Sequence, residues 1–243
     1  MLENNVKVAR PWAVGRGIHP VGGITCSVKE LLRYARFHIG DGSTNGKRVL
    51  SSESMKAMQT PALTRTNEEQ TGLSWMIFNY NGTTALGHGG ATKGFLAQLR
   101  FVPSRNFSVA ILTNTNRGSL LNGAVVANAI KTFLGLDLPK ATPIEVSVEK
   151  QQECLGSYAN IFSRDEIKLV NGALQLTETQ IAGFPTPETP LPPPTPPMKM
   201  AFYAPDKIVV LDGALKDARG EFLRDENGKI KWFRLGARAR LRE

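Results

Sequence analysis

From residue 145 to the C-terminus, turn residues cut the chain into short strand-like segments: "DEIKLVNGALQLTE", "MKMAFYAP", "DKIVVLDG", "RGEFLRDENGKIKWFRLG" and "ARARLRE". Asn171-Gly172, Asp212-Gly213 and Asn227-Gly228 tolerate the positive φ of hairpin turns, whose twist suits antiparallel strands. No helical period is seen after Glu145, so residues 141–243 read as an all-β sandwich or barrel. Within them, "FPTPETPLPPPTPP" carries eight of the 15 prolines. Proline donates no ladder hydrogen bond, so residues 184–197 read as an extended surface loop rather than a central strand.

The first half has a different texture. In "SVKELLRYARFHIGDG", Ser27 and Glu30 have capping-box spacing, and Val28, Leu31, Leu32, Ala35 and Ile39 share one helical face. Gly40 and Gly42 end that helix, and Asn45-Gly46 marks a turn. A shorter helix is expected over Glu53 to Gln59, capped by Ser51 or Ser52 and closed before Pro61. Strands follow: Leu73 to Phe78, then the Asn81-Gly82 turn and a run toward His88, then "FLAQLRFVP" and "FSVAILTN" joined by "SRN". "SLLNGAVVANAIKTFLGL" predicts a helix with an apolar stripe through Leu121, Val125, Ala129 and Phe133. The reading for residues 1–140 is α+β, an antiparallel sheet with helices packed on it.

Charge supports the same division. Residues 1–140 hold 16 Lys/Arg and 7 Asp/Glu, whereas residues 141–243 hold 14 of each. The basic residues of the first half are scattered and not interleaved with aromatics, which argues for a solvated face and against nucleic-acid binding. No apolar run approaches the length of a membrane span, and the N-terminus lacks the apolar core of a signal peptide. Cys26 and Cys154 lie far apart in no metal-ligand spacing and read as free buried thiols, with a disulfide left open. His19 and His38 read as structural or exposed, and Trp12, Trp75 and Trp232 as core. Arg238, Arg240 and Arg242 alternate at strand spacing, as if lining one solvated face.

The densest glycine cluster, "GHGGATKGF" at residues 87–95, is the strongest chemical signal. A phosphate loop would end in Gly-Lys-Ser/Thr and open a helix, but here the order is Thr92-Lys93-Gly94 and a strand follows. The dinucleotide glycine spacing is also absent. His88 has no partner histidine or cysteine nearby in sequence, so neither metal nor cofactor is expected. Two readings stay open: a glycine-rich strand allowing a close backbone approach, or an edge whose N–H groups receive a ligand.

The segment resembles the third motif, Lys-Thr-Gly or His-x-Gly, of the serine β-lactamase and penicillin-binding protein family in its class C, esterase-like branch. "PVGGITCSVKELLRYARFHIGDG", "GLSWMI" and "FVPSRNFSVAILTN" are similar to flanking stretches of that family, so the likeness runs from Pro11 to Leu138. "LGSYAN" and the strands after it resemble the lipocalin-like barrel appended to many such hydrolases. The resemblance implies the C-terminal part of an α-β-α sandwich followed by a small lipocalin-like barrel.

It also implies an acyl-enzyme mechanism on ester, amide or β-lactam carbonyls. His88 would stand at the strand Lys/His position and Gly89 and Gly90 at the next two. Ala91 would donate a backbone N–H to the oxyanion hole, and Thr92 would help shape the pocket. An imidazole is only partly charged at neutral pH, which makes it a weaker carboxylate anchor than lysine. The family's Ser-x-x-Lys and Tyr-x-Asn motifs are absent from residues 1–87. Ser147–Lys150 and Tyr158–Asn160 match them in the wrong order and nearly adjacent, so they are set aside. The expectation is therefore a C-terminal part that is inactive alone. Its partners would be the N-terminal part of the catalytic domain and a small-molecule or peptide substrate. The family implies a periplasmic or secreted setting. The alternative is a non-catalytic module whose barrel holds an apolar ligand or docks on a catalytic partner.

Overall fold

The computed structural model describes residues 8, 10, 15–64, 69–92, 94–115, 118–183, 187–236 and 238–243; Trp12 and Lys93 lie outside them. The chain forms two compact units, residues 1–139 and 140–243.

The first unit is built on a six-stranded antiparallel sheet: β3 (Leu63–Thr64), β4 (Glu69–Thr71), β5 (Met76–Tyr80), β6 (Thr83–Thr92), β7 (Phe95–Val102) and β8 (Phe107–Thr113), in that spatial order. Two short helices, α1 (His19–Gly22) and α2 (Val28–Ile39), precede a β1–β2 ribbon (Ser43–Thr44, Lys47–Arg48) and α3 (Ser52–Gln59). Helix α4 (Ser119–Leu134) follows the sheet. The capping box forms: Ser27 Oγ accepts from the Glu30 N–H, and the Ser27 N–H donates to the Glu30 carboxylate at 3.0 Å. Of the two candidate caps for α3, Ser51 is used, accepting from the Ser54 N–H at 3.1 Å.

The sheet is the middle of three layers. Strand side chains alternate between faces, so Ile77, Leu86, Leu99 and Phe101 meet Ala35 and Trp75 on the α2 side. Phe78, Tyr80, Ala85 and Val102 meet Val126 and Ile130 of α4 on the other. Two sequence expectations are corrected here. Strand β5 begins at Met76 rather than Leu73, which is exposed, because the Gly72 N–H closes a turn on the Trp75 carbonyl. On α4 the buried residues are Asn122, Val126 and Ile130, one position along from the expected stripe; Leu121, Val125 and Phe133 are exposed. The helix is apolar nearly all round, so its period alone does not select the face that meets the sheet.

The second unit is a closed eight-stranded up-and-down barrel, β9 (Gly156–Ala159), β10 (Ser163–Val170), β11 (Ala173–Gln180), β12 (Met198–Ala204), β13 (Lys207–Val210), β14 (Arg219–Arg224), β15 (Ile230–Leu235) and β16 (Arg238–Arg242), with β16 pairing back to β9. Closure leaves no unpaired edge. Asn171-Gly172 forms the expected tight turn with φ of 50° and 76°. Asp212-Gly213 does not. Asp212 stays extended and opens a 3₁₀ turn (Gly213–Leu215), so a longer connection joins β13 to β14. Sequence reading also missed helix α5 (Val148–Glu153), a polar single-face-less turn of chain whose only signal was its cap, Ser147. In the proline-rich loop, Thr195 is anchored to the end of β11. Its Oγ1 accepts from the Glu178 N–H at 2.8 Å, and its own N–H donates to the Glu178 carbonyl at 2.9 Å.

Tyr158, Phe202, Phe222, Phe233, Leu176 and Ile208 fill the barrel. The C-terminal arginines do not share one solvated face: Arg238 is exposed as expected, but Arg240 is not. Arg240 is buried and points inward, Arg238 lies over the Phe162 ring, and Arg242 reaches the Leu155 carbonyl at 2.7 Å. A barrel strand exposes one set of alternate residues and buries the other, and spacing alone cannot say which set is which. Both cysteines are free; burial pushes the Cys154 thiol up to about 12.

Two buried groups tie stability to pH in opposite senses. His38, a core residue of the α2 layer, stands edge-on to Trp75 and Tyr34, with neither ring nitrogen hydrogen-bonded. Desolvation holds its imidazole below the usual range. The unfolded imidazole titrates near ~6.5, so this contribution is present above that pH and is lost as pH falls. In the barrel, Arg240 serves both Asp165 and Glu178 at 2.9 Å. Its Nε–H points at Ser163 Oγ (3.1 Å), and the Asp165 oxygens accept no hydrogen bond. Burial therefore pushes the Asp165 carboxyl up to about 7, with Arg240 opposing. The folded barrel favours protonated Asp165, so this contribution is full below about 4 and is lost as pH rises through about 7. Calorimetry from pH 5 to 8 checks both. Asp165→Asn flattens the loss of stability at high pH, and His38→Phe flattens the loss at low pH. Wild-type slopes in both variants would refute the assignments.

Candidate functional site

The glycine cluster occupies the end of β6. Strand β6 pairs with β7 from Leu86↔Phe101 to Thr92↔Phe95, but its pairing with β5 stops at Met76↔Gly87. A hairpin closing on Thr92–Phe95 makes Thr92, Gly90 and His88 the residues that exchange backbone hydrogen bonds with β7. The N–H groups of Gly89 and Ala91 then face the opposite edge, and among the described residues no strand pairs with β6 there. Residues 88–92 are all exposed, in contrast to the buried stretch at 85–87.

That edge opens on a cleft of about 570 Å³. His88, Gly89, Gly90 and Ala91 line it, together with Arg100 of β7 and Asn122 of α4. Thr92 is not part of the lining; its Cγ2 faces α1, 3.4 Å from where a Cβ on Gly22 would stand. The His88 ring Nδ1 is hydrogen-bonded to the Gly89 carbonyl, so in the neutral ring Nδ1 carries the proton and Nε2 is the free acceptor. Among the described residues no group of His, Cys, Asp and Glu is arranged to hold a metal ion.

Sequence reasoning missed Arg100, a lone arginine in an apolar strand. Its guanidinium stacks 3.2 Å from the Phe78 ring centroid and is 7% exposed. The first glycine of the cluster makes room for it: a Cβ at Gly87 would come 2.3 Å from the Leu99 carbonyl oxygen and 3.1 Å from Arg100 Nε.

The two motif lookalikes have structural roles. Ser147 caps α5, and Lys150 Nζ is held by Asp206 at 2.7 Å. The Tyr158 hydroxyl is buried and donates to the Cys154 carbonyl at 2.9 Å. None of them lies in the unit that holds the cleft.

The comparisons agree with a sheet-and-helix fold for the first unit. Residues 2–127, just over half of the chain, match the family model described as Beta-lactamase. The chain belongs to the beta-lactamase family, the group of serine β-lactamases and penicillin-binding proteins. It is 32% identical over 105 residues to penicillin-binding protein 4 of Amycolatopsis lactamdurans, covering 41% of this chain and 28% of that protein. The crystal structure of SurE with D-Leu superposes with a TM-score of 0.63 at 24% identity, over 89% of this chain and 50% of that one. A second SurE crystal structure gives 0.61 at 23%, over 89% and 48%. The chain thus spans less than a third of the curated relative and about half of the SurE chains.

Glycines 87 and 90 predict opposite tolerances. A Cβ at Gly90 would meet only the Ala97 methyl, at 3.7 Å. Gly87→Ala is expected to cost about 1–3 kcal/mol by overpacking, and Gly90→Ala less than about 0.5 kcal/mol. Denaturant titration checks this, and equal costs would show that the close approach at Gly87 is not the constraint.

Proposed function

We propose that the protein is a serine hydrolase acting on ester, amide or β-lactam carbonyls through an acyl-enzyme, and that this chain supplies one wall of its site. The observation that carries the reading is the unpaired edge of β6, where the Ala91 and Gly89 N–H groups stand beside His88. Backbone donors fixed before reaction stabilise the negative charge that develops on a carbonyl oxygen under attack. Family membership supports serine-hydrolase chemistry, and the name of the curated relative favours penicillin-type β-lactams among the candidate substrates.

In this reading a serine adds to the carbonyl and a lysine and tyrosine handle its proton. The Ala91 N–H and the serine's own N–H hold the oxyanion. His88 Nε2 faces the pocket, where it contacts the tyrosine or the substrate, and Gly89 and Gly90 let the substrate backbone approach. Thr92 sits at the margin. The serine, lysine and tyrosine would come from the N-terminal part of the catalytic domain, in a periplasmic or secreted enzyme. The barrel is proposed as a lipocalin-like appendage on the basis of its up-and-down closure. Its interior is occupied by its own aromatic side chains, which favours a structural role over carriage of an apolar ligand.

An active-site-directed fluorophosphonate and a chromogenic β-lactam test the proposal. The 243-residue chain alone should not be labelled, and a protein extended to include Ser-x-x-Lys and Tyr-x-Asn should be. Ala91→Pro in that protein removes the proposed donor and should lower turnover about 10²–10³-fold. Stoichiometric serine labelling of the 243-residue chain would overturn the division of the site. Unchanged turnover in a folded Ala91→Pro protein would sink the oxyanion assignment.

A further inference from the structure

We propose that the proline-rich segment between β11 and β12 is a docking ridge for a partner domain whose groove is lined by aromatic rings. The proposal concerns the second unit alone and stands independently of the hydrolase reading.

The first observation is the stiffness of the segment. From Pro190 to Pro197 every residue is a proline or, like Leu191 and Thr195, directly precedes one. The proline ring fixes φ at about −65°, and a residue before proline is kept out of the helical region. Residues 190–197 accordingly form neither helix nor strand. These restraints select the left-handed polyproline II helix, with about three residues per turn and a rise of about 3.1 Å, which makes the segment a rod of roughly 25 Å. The rod is fixed at its C-terminal end, where Thr195 is tied to Glu178 of β11 through both its hydroxyl and its N–H, and Met198 enters β12.

The second observation is which edges of the rod are free. A three-residue turn sorts it into three edges. Thr195 faces the barrel and is partly buried. The other two edges, Pro190-Pro193-Pro196 and Leu191-Pro194-Pro197, are exposed throughout, Leu191 at 48%. Pro192, one turn before Thr195 on the same edge, is exposed as well, so the anchor holds a single turn and the rest presents its prolines to solvent. Prolines repeated every third residue on one edge make the P-x-x-P pattern that neighbouring aromatic rings in SH3, WW and EVH1 grooves accept. A partner that adds a strand does not fit, because six of these eight residues have no N–H for a ladder.

The chemistry of the flanks narrows the partner further. Glu188 is the only charged residue between Ile181 and Lys199, so recognition rests on the prolines and not on a basic residue beside them. Because the rod is ordered in advance, docking forfeits little conformational freedom. A second copy of this chain does not supply the groove. Among the described residues the exposed aromatic rings are Tyr34, Phe95 and Phe133, which sit on α2, β7 and α4, and no ring contact joins any two of them.

The experiment titrates the ¹⁵N-labelled 243-residue protein with three purified probes, an SH3, a WW and an EVH1 domain, each first verified to bind a P-x-x-P peptide. At least one should saturably shift the Leu191 and Thr195 amides, the two that the rod contains. Replacing Pro190→Ala together with Pro193→Ala, both at exposed positions, should weaken that binding about ten-fold and leave the barrel amides in place. Raising the salt to about 0.5 M should change the affinity less than about two-fold, since no ion pair carries the contact. Absence of saturable shifts at Leu191 and Thr195 with all three probes, equal affinity of the double-alanine protein, or loss of binding in salt would each overturn the proposal. So would shifts at these two amides on concentrating the protein alone, which would make a second copy the occupant.

Discussion

The site depends on unequal pairing along a single strand. Seven residue pairs bind β6 to β7, whereas β5 releases β6 after Gly87. On one edge the strand is held in register; on the other no strand among the described residues pairs with it beyond Gly87. A backbone N–H has a fixed direction only when its own strand is held in place. Pairing on both edges would have consumed the donors, and pairing on neither would have left them without a direction. Gly87 marks the change, since its missing side chain admits both the Leu99 carbonyl and the Arg100 guanidinium.

Around this edge the first unit spends its apolar residues on two separate layers. Trp75, Phe101 and Ala35 pack on one face of the sheet, and Val126, Ile130 and Val102 on the other. The cleft lies beside the start of α4, where Ser119 and Asn122 line it together with the apolar Met76, Phe78 and Leu96. The barrel solves a different problem. Its closed ladder leaves no edge, and its polar end places two carboxylates on one buried arginine. Such an arrangement is sensitive to protonation because the charges cannot all be neutralised at once.

Local signals were read well where the cause is local. The capping box at Ser27, the Asn171-Gly172 turn and the hairpin between β7 and β8 depend on a few adjacent residues, and each forms as its sequence implies. The reading failed where two faces were chemically alike or where a partner lay far along the chain. Helix α4 buried Asn122 rather than Leu121, because the sheet chose its face. Arg240 turned inward because Asp165 and Glu178, more than sixty residues upstream, point at the same spot.

By itself the sequence determined the class of architecture, the family, and the segment most suited to approach a ligand. These follow from periodicity, turn chemistry and the order of motif residues, all properties of neighbours in the chain. Only the tertiary structure decided which edge of that segment is left unpaired, which arginine lines the cleft with it, and which alternate residues of each strand face inward. Those properties depend on register between strands and on burial, and both are set by contacts between residues far apart in sequence.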